Sequence, residues 1–129
     1  MRKEFRIPEL GEPISHYTHA VQFGDVVFVS GIVARGEHGE LVGGDDAAAQ
    51  ARQIFKNVER VLKAIGAGFA DVLKVTVFLT DMNDRVRINP IRQEYFGSAR
   101  PASTLVEISR LALPGARVEI EFVVGLPGK

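Results

Sequence analysis

One segment restricts the folds open to this chain more than any other. From Ala51 to Ile65 the apolar residues Ala51, Ile54, Phe55, Val58, Val61, Leu62 and Ile65 recur at spacings of three and four, with Arg52, Lys56, Asn57, Arg60 and Lys63 between them. Asp45 or Asp46 supplies an N-cap, and Gly66 and Gly68 stop the helix after about five turns. A helix with a single apolar stripe must lay that stripe on a second layer. The remaining residues have to provide it.

They provide it as strands. Ala20 to Gly24 and Val26 to Ser30 read as a hairpin about Gly24-Asp25, and the VVFV run within it predicts a strand buried on both sides. Gly36, Gly39, Gly43 and Gly44 mark a loop. Val72 to Thr80 is apolar enough for a central strand, and Asn89 followed by Pro90 predicts the N-cap and first residue of a short second helix that ends at Gly97. Ile91, Tyr95 and Phe96 form its inward stripe. Thr104 to Ile108 and Arg117 to Val124 are joined by a connector with the turn signal Pro114-Gly115, which predicts a closing strand pair. The order is that of one α+β domain over residues 1–129, both helices on one face of a mixed sheet.

Alternation along the last two strands assigns Thr104, Val106 and Ile108, and Val118, Ile120 and Phe122, to the core faces. The other face then carries Leu105, Glu107, Glu119 and Glu121, with no helix to cover it. Carboxylates at a covered face are costly without a cation or donor, so they mark either a site or an ion-pair network, and the simplest cover is a second copy of the chain.

Charge narrows the function classes. Lys plus Arg and Asp plus Glu are 16 each, which gives no long-range attraction for nucleic acid or an anionic membrane surface. There is no cysteine, and three histidines leave little for a metal centre. His16 and His19 would share a metal only on a helix, which this stretch does not form. The start MRKEFRIPEL lacks an apolar core of signal-peptide type and no apolar run reaches membrane-spanning length, so the cytoplasm is the default location.

The series SHYTHAV, VVFVSG, AAAQARQIFKNVERVLKAIGAGFADVLKVTVFLTDMND, INPIRQEYF, RPASTLVEISRL and VEIEF resembles the RidA (YjgF/YER057c/UK114) family over essentially the whole chain. The resemblance implies a chorismate-mutase-like α+β fold, a six-stranded sheet, and a homotrimer whose sheets form an inner barrel with clefts between subunits. It also implies an enamine or imine substrate, hydrolysed without a cofactor to a keto compound and ammonia. Carried over by residue, Tyr17 stands at the cleft tyrosine, Gly31 in the backbone segment lining the cleft, Asn89 at the family asparagine and Glu119 at the water-activating glutamate. The family's P-A-R-[ST] arginine, which clamps the substrate carboxylate, is replaced by Ser103.

That replacement has a size. An Arg–carboxylate pair contributes roughly 1.5–3 kcal/mol, so its loss weakens binding of a small carboxylate about tenfold to a hundredfold. Simple 2-aminoacrylate is therefore not the expected substrate. A carboxylate held by Arg100, Arg35, His16 or His19, or a longer aminomuconate-like enamine suited to the HYTH cluster, is consistent with the residues present. The leading reading is a trimeric enamine/imine deaminase with Glu119 and Tyr17 at the chemistry and His16, Gly31, Asn89, Arg100 and Ser103 lining the cleft. A non-catalytic trimer that binds a small molecule in the same cleft is the alternative. A ribonuclease or translation-inhibitor role, which attaches to the family by name, is opposed by the zero net charge.

Overall fold

The computed structural model describes residues 1–128. Eight elements follow in order: β1 (Lys3–Phe5), β2 (Ala20–Phe23), β3 (Val26–Ile32), α1 (Ala47–Ile65), β4 (Val72–Leu79), α2 (Arg85–Phe96), β5 (Ala102–Glu107) and β6 (Val118–Gly125). The strands form one mixed sheet in the order β1-β2-β3-β6-β4-β5.

The long helix is built as its sequence requires. Asp46 caps it, its carboxylate accepting from the Ala48 and Ala49 amides at 2.9 and 3.3 Å. Gly66 ends it in the left-handed region at φ +78°, where a residue with a Cβ is strained. Its stripe is buried against the sheet, and Phe55 lies at the junction of both helices and β6. There it stacks on Tyr95 at 5.1 Å between centroids and meets Phe96 and Phe122 edge-on at 5.8 and 6.4 Å. The buried Gln50 ties the first helical turn to two loops, donating to Gly44 O and Gly115 O and accepting from the Arg117 amide.

The closing strands are not a pair. β4 lies between them, parallel to β5 and antiparallel to β6, so β4–α2–β5 is a crossover unit and the turn at Pro114-Gly115 belongs to a connection across the sheet. This changes the faces. The register sets Ser103, Leu105 and Glu107 beside the buried Val75, Val77 and Leu79, on the helix side. Thr104 and Val106 lie on the open face, where Val106 is 38% exposed. The expected core face of β5 is thus the open one. Glu107 is removed from the glutamates of β6 and instead accepts from the Met82 amide at 2.8 Å.

Two further expectations are corrected. VVFV alternates instead of being buried on both sides, with Val27 and Val29 in the core and Phe28 56% exposed on the open face. Asn89 is not a cap: α2 begins at Arg85, preceded by a 3-10 turn that Asp81 caps by accepting from the Asn83 amide. Pro90 sits inside the helix, where its fixed φ is helical and it forfeits one backbone hydrogen bond. The start of α2 is held instead by the buried Asp84, which accepts from Arg117 Nε at 2.9 Å and Arg87 Nη1 at 2.8 Å. Burial pushes its carboxyl up, but the hydrogen bonds and charges of both arginines outweigh that and hold it below the ordinary range.

Candidate active site

The residues singled out in sequence fall into two groups. The first forms where β3 bulges. The β3–β6 register shifts between Val29 and Ile32, so Ser30 and Gly31 share the space opposite one residue of β6. The bulge is fastened to the preceding loop: the Ser30 hydroxyl donates to Thr18 O at 2.6 Å and the Ser30 amide to His19 O at 3.0 Å. Those bonds bring Tyr17 to the rim of a cavity of about 40 Å³ that Gly31, Ser30, Arg35 and Asn57 also line. A space of that size accepts a water or two but no substrate.

Glu119 closes one side of this group. A Cβ built on Gly31 would lie 2.7 Å from its Cδ and Oε2, so the carboxylate occupies the room that the missing side chain leaves. The Glu119 carboxylate makes no hydrogen bond within the described residues. Burial pushes its pKa above the usual carboxylate value, and the neighbouring charge of Glu121 pushes in the same direction. A half-buried, unpaired carboxylate of raised pKa beside an exposed strand face is suited to taking a proton from water.

The second group lies on the opposite side of the sheet. Asn89, Arg92, Gln93 and Phe96 follow one another at i, i+3, i+4 and i+7 on α2, and with Arg100 and Ser103 they line an open cleft of about 680 Å³. Arg92 Nη2 donates to the Ser103 hydroxyl at 2.9 Å. Arg92 was not among the residues singled out from sequence. The signal was its spacing, three residues after Asn89 on one helical face, and it was hidden by the reading of Asn89 as the helix cap.

The two histidines part company. His19 is buried, its Nδ1 accepting from the Ile7 amide at 2.8 Å and its Nε2–H donating to Gly11 O at 3.1 Å. Burial lowers its pKa, so it fastens the N-terminal segment as a neutral ring. His16 is exposed in an adjoining depression with Arg2, Glu4, Arg6 and Tyr17, and lines neither the Gly31 cavity nor the Ser103 cleft. Among the described residues no three His, Cys, Asp or Glu side chains converge to hold a metal ion.

Glu119 points to the open face, because it is registered with Phe78, whereas Ser103 is registered with the buried Val75. One copy of the chain therefore cannot bring its own Glu119 and its own Ser103 to the same small molecule.

A family model described as Endoribonuclease L-PSP matches residues 9–125. The chain is 38% identical over 118 residues to a 2-iminobutanoate/2-iminopropanoate deaminase of Dermatophagoides farinae, covering 91% of each chain. It is 36% identical over 124 residues to the 3-aminoacrylate deaminase RutC of Acinetobacter baylyi, covering 95% of this chain and 98% of that one. The crystal structure of a Rid-family protein of unknown function from Yersinia pestis superposes with a TM-score of 0.91 at 31% identity, covering 98% and 100%.

Proposed function

The chain belongs to the Endoribonuclease L-PSP family, whose members include the Rid and RutC proteins, and from that premise we propose that it is an enamine/imine deaminase. The observation that carries this reading is the Glu119 carboxylate lying over Gly31 with a raised pKa and no partner. An enamine tautomerises to its imine; water adds to the imine carbon as Glu119 takes one water proton and passes it to the imine nitrogen. Glu119 then takes the hydroxyl proton of the carbinolamine and delivers it to the amino nitrogen, so that the C–N bond breaks, ammonia leaves and a ketone remains. Tyr17, on the rim beside Gly31, donates its hydroxyl hydrogen to the substrate or the attacking water.

The reaction is assigned to a cleft between copies. Glu119 with Gly31 and Tyr17 is one half, and Asn89, Arg100 and Ser103 are the other half, contributed by a neighbour. Joining two different surfaces is a heterologous contact, which must close into a ring, and three is the closure that the family resemblance implies. The open sheet face supports this: Phe23 and Phe28 are 65% and 56% exposed on a chain of zero formal charge.

The test uses imines generated in solution from small amino acids by an amino-acid oxidase. Wild-type protein accelerates ammonia release and Glu119→Gln does not, while both keep the same assembled mass. Undiminished activity in Glu119→Gln overturns the role of Glu119. No acceleration by wild type with any imine, together with saturable binding of the keto product, establishes the alternative of a non-catalytic binder.

A further inference from the structure

Arg92 is a cation without an acid. Arg2, Arg6, Arg52, Arg87 and Arg117 each pair with a carboxylate. Of the arginines with no ion pair among the described residues, Arg60, Arg85, Arg100 and Arg110 are exposed, whereas Arg92, like Arg35, is half-buried, and it spends one of its N–H donors on the Ser103 hydroxyl. A guanidinium has five such donors, so with one Nη2 hydrogen on Ser103 four remain, enough for one complete two-pronged fork. Burial without a compensating charge lowers its pKa, which is the mark of a cation whose desolvation is not yet offset.

Its surroundings have the same sign. Arg100 is the other charged residue lining the cleft, no Asp or Glu lines it, and Asn89 adds an amide. In a chain whose formal charges cancel, this cleft gathers two guanidinium groups. The support is rigid: Ile88, Ile91 and Phe96 bury the inner side of α2, and Phe96 packs edge-on against Phe55 and Phe69. Arg92 stands one turn before that anchor and is tied at its tip to β5.

We infer that Arg92 is the carboxylate-binding residue of this chain, delivered from α2 and held in place by Ser103, so that an α-keto or α-imino acid is gripped from the helix and not from the strand. Ser103 is then a positioning residue for the clamp, not a vacancy. A fork on one carboxylate fits the planar guanidinium, and Arg100 reinforces the positive potential of the cleft. The inference rests on the deaminase reading for the identity of the anion; the anion site itself rests on the arrangement of Arg92, Ser103 and Arg100.

The experiment is calorimetric titration with 2-oxobutanoate and with its methyl ester, which lacks the charge. Arg92→Ala weakens binding of the acid about tenfold to a hundredfold and leaves the ester unchanged, and Arg92→Lys falls between, since an ammonium keeps the charge but loses the fork. In the double variant Arg92→Ala/Ser103→Arg the guanidinium is moved to the strand, and acid binding returns. Circular dichroism and assembled mass matching wild type qualify each variant. Binding of the acid that is equal in wild type and Arg92→Ala overturns the inference. So does equal weakening of acid and ester, and so does a wild type that binds no acid. The deaminase reading fails separately: acid binding that depends on Arg92 without ammonia release leaves the anion site standing and removes the chemistry. Ammonia release that is equal in wild type and Arg92→Ala does the reverse.

Discussion

Gly31 and the Glu119 carboxylate compete for one space, since a Cβ at Gly31 would stand 2.7 Å from Oε2. Gly31 does not have a left-handed backbone, so alanine there is allowed by φ and opposed only by the carboxylate. Gly31→Ala is expected to keep the fold and displace Glu119, lowering imine hydrolysis about a hundredfold, the usual result of a misplacement near 1 Å. An activity assay beside a circular dichroism melt checks both parts. A melt that collapses, or activity within twofold of wild type, contradicts the geometry.

The raised pKa of Glu119 has consequences of opposite sign for rate and stability. As a base it works when ionised, so hydrolysis rises with pH through a limb set above the ordinary carboxylate value of 4.5. For stability, the folded carboxyl binds its proton more tightly than the unfolded one, so the group favours the fold below 4.5 and loses that contribution as pH rises through the folded pKa. Glu119→Gln is therefore expected to melt higher than wild type at neutral pH and to lose that advantage at the acid end of a pH series of melts.

Asp84 behaves in the opposite sense. Its carboxyl is held low by Arg117 and Arg87, so its stabilisation is present above the unfolded value of 3.8 and is lost as pH falls towards the folded pKa. Asp84→Ala leaves the Arg117 guanidinium short of its main partner and is expected to cost about 3 kcal/mol in urea unfolding at neutral pH. A loss below about 1 kcal/mol would show that the pair contributes no more than an exposed one.

His19 makes the fold sensitive to mild acid. Its ring is neutral when folded and its folded pKa lies below 6.5, so the unfolded chain binds the proton more readily and stability falls as pH drops below 6.5. His19→Ala is expected to melt lower than wild type at pH 7.5 and to show a shallower decline between pH 6.5 and 5. Parallel declines would assign the acid sensitivity elsewhere.

Phe28→Lys tests the open face. With Phe28 exposed in the single chain and Val123 opposite it, a charge there is tolerated by the monomer and opposed by a covering copy. The expected outcome, read by light scattering, is a smaller assembly with an unchanged far-ultraviolet spectrum and with loss of hydrolysis. A full-sized assembly would place the interface elsewhere.

How much of this was legible in the sequence follows from the range of each interaction. The long helix, its Asp46 cap and its Gly66 end were readable because cap, stripe and stop lie within a few residues of one another. The first hairpin was readable for the same reason. The closing strands were misread as neighbours because nothing local says that β4 inserts between β5 and β6; that choice is made by the α2 crossover and by burial of Val75, Val77 and Leu79. One wrong pairing then turned β5 over and moved Glu107 to the wrong face, since a strand has a period of two.

Alternation grouped Glu107, Glu119 and Glu121 on one face, and the family resemblance singled out Glu119 among them. The resemblance implied Gly31, 88 positions earlier, in the same cleft, but sequence could not supply the close fit of the Glu119 carboxylate over it or the fact that Ser103 lies on the other side of the sheet. Residue type and periodicity decided which segments form helix and strand, because those are short-range properties of the chain. Register and crossover decided which of them can meet, because faces and neighbours are set when distant segments bury their apolar sides together. Only that burial brought Arg92 to Ser103 and left Glu119 on the face of the sheet that no helix covers.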